Sequence, residues 1–169
     1  MPLVYRNTPM VTVSKSSKVL MERMGFGKTH EIQIVTPGVE VVLQTIKAKK
    51  TTYPSILYFG RLRQYKRVDV LIKAFTQVVK QLPEARLTIA GSGEMELSLR
   101  KLVTSLELNR NVNFTGYVAE KYKANYYSSA WVVAHPSQVE GWGISNIEAN
   151  VCGTPVVAAN VDGLKDSVI

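Results

Sequence analysis

Two glutamates eight positions apart, Glu140 and Glu148, are the residues of this sequence best placed to bind a polar ligand. Gly141 and Gly143 follow the first acid directly, and an apolar run at 131–134 precedes it. The pattern predicts a buried strand, a glycine-rich turn and then a helix. Such a turn presents backbone N–H groups at the helix N-terminus, where phosphate groups bind well.

The spacing within this helix limits what the two acids can do. Ile144, Ile147 and Val151 lie at i, i+3 and i+7, on one face of a helix, and Gly153 suits its C-terminal cap. Glu148 would lie about 6 Å along the helix from Ile144, at about 1.5 Å per residue. The acids therefore cannot pair across one turn, but they could contact both ends of an extended ligand. A sugar nucleotide, with its sugar, diphosphate and nucleoside, has that shape.

The stretch 140–158, which reads Glu-Gly-Trp-Gly-Ile-Ser-Asn-Ile-Glu-Ala-Asn-Val-Cys-Gly-Thr-Pro-Val-Val-Ala, resembles the signature of the retaining family 4 glycosyltransferases. These enzymes have the GT-B fold. The resemblance runs from about Val11 to Ile169 and matches the C-terminal, donor-binding half. It implies that 1–169 is a single Rossmann-like domain that lacks the N-terminal acceptor domain and the final helix. Such a fragment of a glycosyltransferase is expected to bind donor weakly and to transfer nothing by itself.

A second segment, 60–67, is similar to the family's Gly-Arg-x-x-x-x-Lys-Arg segment. The resemblance implies that Arg61 and Lys66 bind the donor diphosphate. Preorganised cations at this place would stabilise the negative charge on the departing nucleoside diphosphate, by bidentate contacts from arginine and a point charge from lysine. Arg63 and Arg67 are expected at the surface or behind the site.

The resemblance assigns the remaining site residues. Gly91 and Gly93 would line the donor cleft, and the backbone at Val118 would contact the nucleobase. Glu148 would accept hydrogen bonds from the ribose hydroxyls, while Glu140 would hold the transferred sugar or stabilise positive charge near its anomeric carbon. The backbone N–H groups expected to meet sugar and phosphate belong to Gly141, Trp142, Gly143 and Ile144.

Other motifs predict less. A P-loop at 25–29 fails because Glu22 stands where its first glycine is required, and Gly-Ser-Gly at 91–93 lacks the third glycine of a dinucleotide fingerprint. His135 is expected to be a packed residue rather than a base, and Cys152 a small buried one. No histidine–carboxylate cluster has metal spacing, so neither a metal nor another cofactor is expected. The expected ligand is a nucleoside diphosphate sugar, with UDP or GDP as the nucleotide.

Strand and helix patterns alternate along the chain. Strands are predicted at 9–13, 32–35, 56–59, 86–90, 112–115, 131–134 and 156–159. Helices are predicted at 16–25, with Ser14 among its candidate caps, and at 68–81, 94–107, 119–128 and 144–152, while 44–54 is expected to be a mobile basic linker. This order predicts an α/β protein with a Rossmann-like parallel sheet and helices on both faces. Ligands of such sheets bind beyond the carboxyl ends of the strands, where the candidate residues fall.

Composition sets broader limits. The chain has 169 residues, 46% of them hydrophobic, which favours one soluble domain. It has one cysteine, which excludes an internal disulfide and fits a cytoplasmic setting. Its net charge is +8. The positive charge leaves open peripheral contact of the parent enzyme with the inner membrane face, although nucleic acid is not an expected partner. Two alternatives to an enzyme domain also stay open: a non-catalytic nucleotide-sugar-binding or regulatory module, and a basic domain that binds membranes or polyanions. The sugar, the base and the acceptor are not specified by the sequence.

Overall fold

Strands and helices alternate along the computed structural model, which describes residues 4, 5, 7–39 and 48–168. The strands are β1 (Val11–Thr12), β2 (Gln33–Ile34), β3 (Ser55–Phe59), β4 (Arg86–Ala90), β5 (Val112–Gly116), β6 (Val132–His135) and β7 (Val156–Ala158). The helices are α1 (Lys15–Arg23), α2 (Val68–Gln81), α3 (Glu96–Ser105), α4 (Glu120–Ser129), α5 (Ile144–Val151) and α6 (Leu164–Ser167), with a 3₁₀ turn at Gln64–Lys66. The predicted α/β class is confirmed.

Strands β3 to β7 form one parallel sheet in the order β5-β4-β3-β6-β7. The central strand β3 pairs with β4 over its whole length and with β6 at Ile56 and Leu57. The chain thus builds outward on one side of β3 and then on the other, and the strand order reverses between β3 and β6. A ligand crevice opens at such a reversal, beyond the carboxyl ends of the two strands. The loops after β3 and β6 carry Arg61, Lys66 and Glu140.

Helices cover both faces of the sheet, because successive side chains of a strand point to opposite faces. Tyr58 of β3 packs with Phe75 of α2 and with residues of α3 in one core cluster. Its neighbour Leu57 packs with Tyr127 of α4 and Ala149 of α5 in a second core cluster, on the opposite face of the sheet. The two-sided Rossmann-like layering predicted from the sequence is therefore confirmed.

The predicted elements end within two residues of the observed ones, with two additions and one correction. The 3₁₀ turn and α6 were not predicted. Trp131, predicted to begin a buried strand, precedes β6 and is 47% exposed. Its indole N–H donates to the carbonyl of Thr51 at 2.8 Å, so the side chain lies along the loop that leads into β3.

Helix α5 buries a polar side. Ile144 is 41% exposed, whereas Asn146 and Glu148 are almost fully buried. Both buried side chains have hydrogen-bond partners inside the protein, which offsets the cost of removing them from water. The spacing of Ile144, Ile147 and Val151 correctly predicts the helix, but it does not mark the side that packs inward.

Strands β1 and β2 form a separate two-stranded parallel sheet around α1. Ser14 caps α1 as predicted, since its hydroxyl accepts the N–H of Ser17 at 3.0 Å. The same helix turn touches the larger sheet unit. Ser16 N–H donates to the Asp166 carboxylate at 3.0 Å, and Ser17 Oγ donates to the carbonyl of Gly141 at 3.3 Å.

The predicted linker at 44–54 lies partly outside the described residues, which resume at 48. Residues 48–54 contain no helix or strand, but Lys50 is anchored. Its ammonium donates to the carbonyl of Ala130 at 2.5 Å and to Thr154 Oγ1 at 2.6 Å. Burial lowers the pKa of Lys50. Lys50 as a whole is exposed, as expected for a solvated loop, but its side chain is hydrogen-bonded to Ala130 and Thr154.

Candidate active site

Lys66 and Glu140 form an ion pair in the crevice, although 74 positions separate them in the sequence. Lys66 ends the 3₁₀ turn after β3, and Glu140 lies in the loop between β6 and α5. The ammonium donates to Glu140 Oε1, and only 13% and 14% of the two side chains is exposed. The fold therefore brings one predicted cation and one predicted anion of the site into direct contact.

His135, the last residue of β6, contacts the same carboxylate oxygen. Its Nε2 lies 3.2 Å from Glu140 Oε1, and its Nδ1 lies 2.8 Å from Asn146 Oδ1. Asn146 in turn donates from Nδ2 to Ser167 Oγ at 3.0 Å. His135, Asn146 and Ser167 are each no more than 5% exposed. The expectation that His135 is packed is confirmed, and the residue against which it packs is Glu140.

These contacts determine the charge of Glu140. Burial alone would raise the pKa of its carboxyl, but hydrogen bonds from His135 and Lys66, together with the positive charge of Lys66, lower the pKa to about 2. Glu140 is therefore ionised at neutral pH. An ionised carboxylate only accepts hydrogen bonds, so this side chain can hold hydroxyl groups or stabilise a nearby positive charge.

Glu148 is held by two residues of α4. Tyr127 OH donates to its Oε2 at 2.9 Å, and Lys123 Nζ donates to its Oε1 at 2.5 Å. Burial opposes the positive charge of Lys123, yet its contacts with Glu148 and Glu120 raise its pKa. Each oxygen of a carboxylate has about two acceptor positions, so Glu148 can still accept hydrogen bonds from a ligand.

Gly91 and Gly93 let the loop after β4 lie directly on the loop after β3. A Cβ at Gly91 would stand 1.9 Å from the carbonyl oxygen of Gly60, and one at Gly93 would stand 2.4 Å from that of Leu62. Any larger residue would separate the two loops. The glycines thereby position the segment that carries Arg61, while their role as walls of a donor cleft stays a prediction.

Arg61 lies at the edge of the crevice and lines an open cavity of about 820 Å³. Its guanidinium donates to Tyr65 OH at 3.3 Å. Arg63 and Arg67 line the same cavity, and each is paired with a carboxylate. Their places at the surface or behind the site stay a prediction. Within the described part of the chain, no carboxylate forms an ion pair with Arg61. Its charge is therefore available to an anionic ligand.

The turn before α5 leaves the helix start without a side-chain cap. Gly143, the N-cap residue, has a left-handed backbone with φ of 73°. The first N–H groups of α5 therefore meet no capping side chain, although the N–H of Asn146 donates to the carbonyl of Gly143 at 2.9 Å. Phosphate binding by this turn stays a prediction. Gly141 is exposed, and Trp142 is half-buried with its indole nitrogen enclosed.

Val118 follows β5 and lines a second pocket, of about 390 Å³. Tyr117, Tyr122 and Tyr126 contribute to the same lining, and Tyr117 is 80% exposed. Aromatic side chains can stack on the face of a planar ring. Contact of the Val118 backbone with a nucleobase in this pocket stays a prediction.

Sequence reasoning missed Lys123, Tyr127 and Asn146 as site residues. Lys123 and Tyr127 are four positions apart on α4 and so share a face, but nothing in the sequence indicates that this face meets α5. Asn146 lies within the signature stretch between the two glutamates. The sequence shows Asn146 inside this stretch, but its contact with His135 arises only when β6 packs against α5.

The described residues contain neither a metal-binding cluster nor a membrane-spanning helix. Residues 4, 5, 7–39 and 48–168 include no group of three or more His, Cys, Asp or Glu side chains arranged to hold a metal ion. In the same ranges, no helix has the length and apolarity needed to cross a lipid bilayer.

A parallel sheet covered on both faces, with basic and acidic residues where its strand order reverses, is the Rossmann-like arrangement expected of a GT-B glycosyltransferase domain. Comparison with known families agrees. The family described as "Glycosyl transferases group 1" matches residues 43–169. The chain belongs to this family.

Several curated relatives match over much of the chain. An uncharacterized glycosyltransferase of Haemophilus influenzae is 34% identical over 160 residues, which cover 94% of this chain and 44% of the relative. An uncharacterized glycosyltransferase of Methanocaldococcus jannaschii is 39% identical over an alignment of 177 residues, which covers 97% of this chain and 45% of the relative. A GDP-mannose-dependent mannosyltransferase of Corynebacterium glutamicum, which acts on a monoacylated phosphatidylinositol monomannoside, is 38% identical over 124 residues, with shares of 69% and 32%. The chain thus spans less than half the length of each of these relatives.

Solved structures match the fold. Anabaena HepE, in complex with UDP and glucose, superposes with a TM-score of 0.82 at 23% identity, over 96% of this chain and 47% of that protein. Sucrose-phosphate synthase of Thermosynechococcus elongatus gives a TM-score of 0.81 at 28% identity, over 94% and 42%.

Proposed function

We propose that this chain binds the nucleoside diphosphate sugar used by a retaining glycosyltransferase. The observation that carries the proposal is the buried Lys66–Glu140 pair where the strand order reverses, beside the uncapped start of α5. A cation, a carboxylate and a helix N-terminus at one crevice match the diphosphate and sugar of such a donor. The family and its named relatives support transfer of a sugar as the reaction of the whole protein.

The diphosphate is assigned to Arg61, Lys66 and the turn before α5. Arg61 is unpaired by carboxylates in the described structure, and Lys66 is already in the crevice. Backbone N–H groups of Gly141, Trp142, Gly143 and Ile144 complete the anion site. Fixed positive charge at this place lowers the barrier to transfer because negative charge develops on the departing diphosphate.

Glu140 is assigned to the transferred sugar. In the proposed reaction the bond between the anomeric carbon and the diphosphate oxygen breaks, and its electron pair leaves with the diphosphate. The acceptor oxygen forms the new bond on the same face, and its proton passes to the departing phosphate. Glu140, ionised and close to this centre, holds sugar hydroxyls and stabilises the positive charge that develops on the ring.

Glu148 is assigned to the ribose and the Val118 turn to the nucleobase. A carboxylate is a suitable acceptor for a diol, and both oxygens of Glu148 are already held in place by α4. UDP and GDP both remain candidates. Anabaena HepE was solved with UDP, whereas the Corynebacterium relative is GDP-mannose-dependent.

Calorimetric titration of the chain with UDP, GDP and ADP tests this assignment. We expect one nucleotide to bind, and we expect Arg61→Ala and Glu148→Gln each to weaken it at least about tenfold, or about 1.4 kcal/mol. Arg100→Ala is the control, because Arg100 pairs with Glu96 on the surface of α3 and does not line the cavity beside Arg61. Retention on heparin that no nucleotide displaces, without nucleotide binding, would instead favour a polyanion-binding domain.

A further inference from the structure

The contacts of Glu140 are unequal at its two oxygens. Lys66 Nζ and His135 Nε2 both reach Oε1, and neither donates to Oε2. The buried Ser137 hydroxyl also lies close enough to the carboxyl to lower its pKa, although it makes no hydrogen bond of normal geometry. Because an ionised carboxylate only accepts, the His135 contact requires a hydrogen on Nε2. The opposite ring nitrogen, Nδ1, faces the Asn146 side-chain amide at 2.8 Å. The amide oxygen accepts from Nδ1 if that nitrogen carries a hydrogen, and the amide turned round donates its N–H to Nδ1 if it does not, so the imidazole is held on both sides.

We infer that His135 is a positioning residue for Glu140: it fixes the carboxylate through Oε1, so that Oε2 is presented to a hydroxyl of the transferred sugar. The inference rests on the proposed function of Glu140 and adds a residue to which no role in the reaction had been assigned. His135 acts through Glu140 and does not touch the sugar.

The setting of the ring supports this role. His135 ends a strand that pairs with β3 and β7, its carbonyl accepts the N–H of Ala159 at 3.0 Å, and the ring is 5% exposed. Beyond Asn146 the hydrogen-bond chain continues to Ser167, whose hydroxyl donates to the carbonyl of Leu164 at 3.0 Å. The imidazole is therefore anchored to the end of the sheet and to α6. A side chain locked by packing and by outer hydrogen bonds holds a functional group accurately.

Lys66 cannot provide the same restraint. It has a flexible four-carbon stem, and in the proposed complex its ammonium also serves the diphosphate. Any shift of Lys66 toward phosphate lengthens its contact with Glu140. The His135 contact is independent of the diphosphate, so it keeps the carboxylate in place while Lys66 adjusts.

The backbone reinforces the same point. Gly163, just before α6, lies so close to Glu140 that a Cβ there would be 1.9 Å from the Glu140 carbonyl oxygen. The backbone of Glu140 therefore rests on α6, and its side chain reaches α6 through His135 and Asn146. Both ends of the residue are tied to one structural element.

Paired substitutions of His135 test the inference. Glutamine can place an amide N–H near the position of Nε2 and keep a donor to Glu140. Asparagine is shorter, retains a polar group on the Asn146 side and does not reach Glu140. We expect His135→Asn to raise the pKa of the Glu140 carboxyl from about 2 by about one unit or more, measured by carbon-detected NMR, and His135→Gln to keep it low.

The groups facing Glu140 in this titration are Lys66 of the 3₁₀ turn, His135 of β6 and Tyr58 of β3. Tyr58 stays neutral in acid because burial raises its pKa, so it does not titrate in the measured range. An unchanged Glu140 titration in a folded His135→Asn variant would overturn the inference.

The affinities of the same variants for nucleotide and for sugar-bearing donor provide a second test. We expect His135→Asn to leave nucleoside diphosphate affinity unchanged and to remove most of the added affinity for the sugar-bearing donor, while His135→Gln retains it. If the wild-type chain binds no nucleotide, the proposed function fails. If it binds and His135→Asn keeps the full contribution of the sugar, only the positioning role fails.

A measurement on the wild-type chain is independent of folding of the variants. The nitrogen chemical shifts of the His135 ring at pH 7 report which nitrogen carries hydrogen. A hydrogen on Nε2 is expected, and a bare Nε2 would contradict the inference whatever the variants do.

Discussion

The hydroxyl of Tyr127 donates a 2.9 Å hydrogen bond to Glu148 Oε2 inside the protein, where the tyrosine has no exposed surface. Burial raises the pKa of Tyr127, so the phenol stays a donor across the working pH range. The ring of Phe59 packs against it at 5.2 Å between centroids. A carboxylate that is only 6% exposed depends on such fixed donors, because it has lost most of its contact with water.

Removal of this hydroxyl should therefore destabilise the fold out of proportion to its size. We expect Tyr127→Phe to lower the free energy of unfolding by about 1–3 kcal/mol, the usual cost of leaving a buried group without its partner. Urea unfolding of the wild type and the variant measures this loss of free energy. Tyr122→Phe, on the same helix but 50% exposed, is the control and should change stability little. Equal losses in both variants would show that the Glu148 contact does not matter.

The low pKa of Glu140 predicts a specific sensitivity to acid. In the folded chain this pKa is about 2, below the ordinary 4.5, so the unfolded chain binds the proton more readily. The ionised group then adds stability above about pH 4.5, and this contribution is lost as the pH falls towards 2. A shift of this size corresponds to on the order of 3 kcal/mol.

Urea unfolding of the wild type and of Glu140→Gln at several pH values between about 6 and 3 measures this contribution. Other carboxylates titrate in both proteins, so the difference between the two curves isolates Glu140. We expect the wild-type advantage to shrink steadily in acid. A difference that stays constant with pH would mean that the Lys66 and His135 contacts do not perturb Glu140 in solution.

The sequence predicts local structure here better than the site. Apolar periodicity gives α2 at 68–81 and β4 at 86–90 with their observed limits, because each buries a regular apolar face. Likewise, the glycines around Trp142 predict the turn before α5, because a left-handed residue at 143 favours glycine.

The misses concern contacts between distant segments. Asn146 and Glu148 are buried because β6 and α4 supply partners for them, and the one-dimensional pattern does not show which side of α5 will find such partners. Helix α6 is too short for a periodic signal, and its place follows from Gly163 packing on Glu140. The two acids and Lys66 were predictable from the sequence, whereas the contacts that Lys123, Tyr127, His135 and Asn146 make around the acids were not.

Two glycines with similar positive φ differ in their surroundings. Gly163 has φ of +83° with ψ of −48°, outside the left-handed helical region, and lies against the Glu140 carbonyl, while Gly153 has φ of +75° and open space around it. Alanine at Gly153 incurs left-handed strain of about 1–2 kcal/mol, and alanine at Gly163 incurs backbone strain at least as large. We expect Gly163→Ala to lose about 1–3 kcal/mol more than Gly153→Ala in urea unfolding, because its Cβ also displaces the Glu140 loop. Matching losses would show that this close approach is relaxed in solution.

The Lys123–Glu148 pair should behave as a coupled unit. Only 14% and 8% of the two side chains is exposed, so removal of one partner leaves the other charge poorly solvated. We expect Lys123→Met to cost about 3–5 kcal/mol. Because the double variant with Glu148→Gln buries no unpaired carboxylate, its loss should be smaller than the sum of the single losses by about 1–3 kcal/mol. The surface pair Lys165–Asp162, 50% and 62% exposed, is the matched cycle and should show coupling below about 1 kcal/mol. Additive losses at Lys123 and Glu148 would mean that water reaches this carboxylate, and the ribose assignment would then lose the rigid acceptor on which it depends.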